Sequence, residues 1–72
     1  MEIMNWTDIS TEVKRVYRFK DGYVRIDNPV RINISSSGGH RIVDEEGNGH
    51  YVPSGWIHLK WYNKDGVQPV VM

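Results

Sequence analysis

Turn-forming clusters cut this chain into segments too short to hold stable helices on their own. Asp21-Gly22, Asn28-Pro29, Ser-Ser-Ser-Gly-Gly at residues 35–39, the acidic run from Asp44 to Gly49, Pro53-Ser54-Gly55 and Asn-Lys-Asp-Gly at residues 63–66 recur at intervals of about 7 to 10 residues, close to the spacing of a small all-β fold. The intervening segments alternate with period two. Val24 and Ile26 oppose Tyr23, Arg25 and Asp27; Val30, Ile32 and Ile34 oppose Arg31 and Asn33; Ile57, Leu59 and Trp61 oppose Trp56, His58, Lys60 and Tyr62. Residues 13–19 are rich in β-branched and aromatic side chains, although adjacent Val16 and Tyr17 spoil the alternation. Asp21-Gly22 reads as a hairpin turn because both residues tolerate positive φ. Shorter strands are expected at residues 40–43 and 50–52, and an edge strand at residues 67–72, where Pro69 lacks the amide proton an inner strand needs.

The expected fold is therefore all-β: a single antiparallel meander or partly open barrel of SH3-like or OB-like size, with five to six short strands. Residues 1–11 read as an arm or short turn that lays Trp6 against the sheet, and residues 12–72 as the β domain. Val24, Ile26, Ile32, Ile34, Ile57, Leu59 and Trp61 are the expected core. A chain of 72 residues buries only about 60% of the surface it exposes when unfolded. Its three tryptophans, four tyrosines and one phenylalanine must supply much of the buried apolar area.

Composition narrows the function classes. With no cysteine, neither a disulfide framework nor a thiolate metal site can form, as expected for a reducing cytoplasm. Nine basic and nine acidic side chains balance, so the whole chain offers a polyanion no long-range attraction. No apolar run approaches the ~20 residues of a membrane span, and no basic segment followed by an apolar one suggests a secretory signal. We expect no membrane partner.

Three groups of residues invite chemistry. His40, His50 and His58 fall on three different expected strands, but their spacing matches no zinc motif, and each stands beside a turn. Asp44, Glu45 and Glu46 lack the ligand spacing of a calcium loop and read as a solvated hairpin tip. The serine-glycine loop at residues 35–39 has neither the lysine nor the following helix of a phosphate loop, and no evident base for a serine nucleophile. Its backbone amides could still form an anion nest. We expect no catalytic site, no metal and no cofactor.

The most suggestive surface is the polar face of the strand at residues 56–62. Trp56, His58, Lys60 and Tyr62 interleave two aromatics with cationic groups, a composition suited to stacking nucleic-acid bases or anchoring a protein. Arg25 and Arg31 could extend this patch if the strand register brings them alongside Lys60. The competing expectation is structural, with Trp56 closing an open end of the barrel and Tyr62 packing on a neighbouring strand.

The run at residues 33–42, together with Gly49-His50-Tyr51-Val52-Pro53 and residues 55–61, resembles small proteins encoded by bacteriophages and prophages. The resemblance covers roughly half the chain and carries no catalytic signature. It implies a bacterial host cytoplasm and an accessory role exercised by binding. On balanced charge, a protein partner is the first expectation, with single-stranded nucleic acid as the alternative.

Overall fold

The computed structural model describes residues 5–64, and among these the fold is all-β. Seven antiparallel strands form two sheets: β1 (Thr7–Asp8), β2 (Glu12–Phe19), β3 (Gly22–Asp27), β4 (Pro29–Ile34), β5 (His40–Asp44), β6 (Gly49–Val52) and β7 (His58–Asn63). Sheet A has the order β1-β4-β5-β6 and sheet B the order β3-β2-β7. The sheets do not close into a barrel. The expected edge strand at residues 67–72, with Pro69, lies outside the described residues.

Two features of the N-terminal half differ from expectation. Thr7 and Asp8 extend sheet A, pairing with Ile32 and Arg31 of β4, so the expected arm contributes a strand. Ile9 then turns into the core, its N–H donating to the Val30 carbonyl at 2.8 Å. The β2–β3 hairpin has Lys20 and Asp21 as its two-residue loop, with Gly22 already paired opposite Phe19. Positive φ is instead found at Asn28 (φ 49), where the chain leaves sheet B and enters sheet A at Pro29. A short amide side chain tolerates that left-handed conformation better than most.

The core lies between the sheets. Tyr17 and Ile26 of sheet B meet Ile9, Ile32, Ile42 and Val52 from the other side, with Phe19, Trp56 and Leu59 packed around them. Of the seven residues expected there, Ile26 and Ile32 are fully buried, and Leu59 and Trp61 are half-buried. Val24, Ile34 and Ile57 are exposed. Val24 faces the same way as Tyr17, but on an outer strand of sheet B. Ile34 ends β4 at the rim. Ile57 is 75% exposed because the chain bends before β7 begins, which resets the inside–outside parity and sends Trp56 inward in its place.

Charged side chains are also buried. Glu12 and Arg15 are both inaccessible to solvent and form a two-pronged ion pair, Nη2 to Oε2 at 2.7 Å and Nε to Oε1 at 2.9 Å. Three residues apart on a regular strand, they would face opposite ways. The β-bulge between Glu12 and Lys14 shifts the parity and turns both inward.

Candidate functional site

Sheet B presents a broad outer face whose composition follows from register. The two-residue hairpin fixes β3 against β2, and β7 pairs along the other side. Directly paired residues of antiparallel strands share a face. Three rows result: Tyr23–Arg18–His58, Arg25–Val16–Lys60 and Asp27–Lys14–Tyr62. Four cations thus surround two tyrosines, against a single carboxylate. That carboxylate is already taken, since Arg25 Nε donates to Asp27 Oδ1 at 2.8 Å, which raises the guanidinium pKa above its usual value.

The aromatic rings and cations of this face are already in contact. Lys14 Nζ and Lys60 Nζ lie 4.5 and 4.7 Å from the centre of the Tyr62 ring. Arg18 sits 5.8 Å from the Tyr23 ring centre, and Tyr23 remains 64% exposed. Clustered cations with an open aromatic ring are what a flexible polyanion with stackable bases requires.

Of the six residues singled out by sequence, four share this face: Arg25, His58, Lys60 and Tyr62. Two do not. Arg31 lies on β4 of the other sheet, 5.2 Å from the centre of the Trp6 ring. Trp56 is half-buried at the sandwich interior, with its ring 5.0 Å from Tyr17 and 4.7 Å from His40. The stacking role expected of Trp56 therefore has no support in its position. Lys14, Arg18 and Tyr23 were not singled out. The turn read at Asp21-Gly22 would pair Tyr23 with Lys20; with the loop at Lys20-Asp21, Tyr23 lies opposite Arg18 and Asp27 opposite Lys14, and either loop puts these residues on one face.

Beneath this face runs a buried polar chain. Arg15 Nη1 donates to Tyr17 Oη at 3.2 Å, and Tyr17 Oη lies 2.7 Å from His40 Nδ1. A guanidinium can only donate, so Tyr17 Oη accepts from Arg15, which leaves the phenol proton available to His40 Nδ1. Burial raises the Tyr17 pKa, partly opposed by its bond to Arg15. Burial, followed by the nearby Arg15 charge, lowers the His40 pKa. For Arg15 itself, burial acts downward but is outweighed by the bonds to Glu12 and Tyr17, and its pKa is raised. Arg15 also lies 5.5 Å from the Trp61 ring centre. Glu12, Arg15, Tyr17 and His40 are all buried.

The three histidines are dispersed. His40 is in the interior, His50 Nε2 pairs with Asp44 Oδ2 at 2.8 Å, and His58 is on the outer face of sheet B. No group of three His, Cys, Asp or Glu side chains among the described residues could hold a metal ion. Asp44 organises the acidic hairpin tip: its Oδ1 accepts from the N–H groups of Glu46 at 3.0 Å and Asn48 at 2.9 Å. The loop at residues 35–39 is closed by Ser35 N–H to the Gly39 carbonyl at 2.8 Å and Gly38 N–H to the Ser35 carbonyl at 2.9 Å. No helix of the described residues is long and apolar enough to cross a membrane. Comparison with protein-family models, curated proteins and solved structures returned no match.

Proposed function

We propose that this domain binds single-stranded nucleic acid, without catalysis, across the outer face of sheet B. The observation that carries the reading is the segregation of charge by register: Lys14, Arg18, Arg25 and Lys60 share one face with Asp27 alone opposing them. The balanced charge of the whole chain, which favours a protein partner on sequence grounds, conceals this local excess. In the proposed complex the cations contact phosphates, and Tyr23, the most open ring, stacks on a base. A shallow sheet face suits a splayed single strand better than a duplex, whose bases are already stacked on one another. The resemblance to phage-encoded proteins would place this activity in a bacterial host cytoplasm, as an accessory to processes that expose single strands.

The test is titration of a labelled single-stranded oligonucleotide, with the contacted residues mapped by backbone amide shifts. Shifts confined to β2, β3 and β7 support the reading. Binding to a host protein through the same residues, with no oligonucleotide binding, would replace it.

A further inference from the structure

The outer face of sheet A carries a recess that nucleic-acid binding on sheet B leaves unused. Two rows define it: Arg31–Val43–Gly49 and Asn33–Arg41–Tyr51. Gly49 supplies no side chain, and a Cβ placed there would meet nothing within 4 Å, so the floor beside Val43 is open. Trp6 and Tyr51 line this recess of about 560 Å³ together with Ser35, Ser37 and Arg41. That volume is within the range of small-molecule sites.

The polar groups of the recess are held in place. The Tyr51 phenol lies across Gly39, where any Cβ would collide with it. Its hydroxyl is 3.1 Å from Ser37 Oγ, which is 3.0 Å from Ser35 Oγ. Hydrogen bonds from these serines, reinforced by the Arg41 charge, lower the Tyr51 pKa despite some opposing burial. Arg41 Nη1 donates to Asn33 Oδ1 at 2.6 Å, and Asn33 Nδ2 in turn donates to the Asn5 carbonyl at 2.9 Å. Among the described residues neither Arg41 nor Arg31 has a carboxylate partner. Asp8, in register with Arg31, accepts instead from the Ser10 N–H at 2.7 Å.

We propose that this recess binds a small planar aromatic anion, with the ring over the open floor beside Val43, among lining residues that include Trp6 and Tyr51, and the anionic group on Arg41. Aromatic walls favour a flat apolar ring. A guanidinium anchored through one nitrogen keeps further donors free, in the fork geometry that matches a carboxylate or phosphate. A nucleoside monophosphate and a free aromatic carboxylate share this chemistry.

The experiment titrates the full chain with adenosine monophosphate and, separately, with 4-hydroxybenzoate, following the Trp6 indole and the Arg41 side-chain signals by NMR. Saturable shifts of both groups with at least one probe are expected, and the probe that binds identifies the source of the anion. Gly49→Val adds a strand-favouring side chain where there is room for it, so the fold is retained while the floor fills. Gly49→Val and Arg41→Gln should each weaken binding by about tenfold or more. Lys60→Ala, on the opposite face, should leave it unchanged and so separates this site from the nucleic-acid face. Failure of both probes to saturate below about 10 mM, or equal affinity in folded Gly49→Val, overturns the proposal.

Discussion

Arg25 and Lys60 occupy opposite outer strands of one sheet, and both are in register with Val16 on the strand between them. A single uncharged residue is all that separates the two cations along that row. Val16→Glu places a carboxylate at the centre of the face, on a half-buried position of a regular strand. The domain should stay folded by circular dichroism and lose oligonucleotide affinity by about tenfold or more, because the carboxylate offsets the flanking Arg25 and Lys60 charges and repels the phosphates nearest them.

Burial of the Glu12–Arg15 pair makes a sharp stability prediction. Glu12→Gln leaves an uncompensated guanidinium in the interior and should cost about 3–5 kcal/mol. That approaches the whole stability of a domain this size, on the order of 4–11 kcal/mol. Glu12→Leu combined with Arg15→Met removes both charges, and Tyr17 can still donate to His40. Urea denaturation should show the double variant close to the parent or above it, and Glu12→Gln far below or unfolded. A Glu12→Gln protein as stable as the parent would mean that the pair is not closed to water.

His40 makes stability depend on pH below about 6.5. Its folded pKa is lowered by burial and then by Arg15, whereas the unfolded chain titrates near the ordinary value of 6.5. Below that value the unfolded chain binds a proton that the folded one resists, so stability falls with acidification until the folded pKa is reached. Above 6.5 His40 contributes no pH dependence. Asp44, lowered chiefly by its bond to His50, acts only around and below 3.8. The urea midpoint should therefore drop between pH 7.5 and pH 5.5. His40→Asn, which keeps an acceptor for the Tyr17 hydroxyl and cannot titrate, should flatten that drop.

The all-β class was legible because turn residues recur too often for helices, but the β2–β3 register was not: the turn expected at Asp21-Gly22 forms one residue earlier, at Lys20-Asp21, which shifts every pairing by two residues. Burial was less legible, for reasons that particular residues show. Pattern reading assigns charge to the outside, so Glu12 and Arg15 were missed; only the bulge brings them onto the inner face. Strict alternation put Ile57 inside and Trp56 outside, but alternation holds only within a ladder, and β7 begins at His58. Thr7–Asp8 is too short to announce itself as a strand. Substitution separates these cases. Ile57→Ala should change stability by no more than about 0.5 kcal/mol, whereas Ile32→Ala should cost roughly 2–5 kcal/mol, both read by denaturant titration.

The salt dependence of oligonucleotide affinity tests the central claim most directly. If Lys14, Arg18, Arg25 and Lys60 contact about three to four phosphates of a single strand, log affinity should fall against log salt with a slope of roughly −2 to −3. Affinity should then drop about 20- to 50-fold between 50 and 200 mM salt. Lys60→Ala should make the slope shallower by about 0.7. Tyr23→Ala should weaken binding by about 1–3 kcal/mol and leave the slope unchanged. A folded protein that binds no single-stranded oligonucleotide at low salt, or one whose affinity does not respond to salt, would contradict the account.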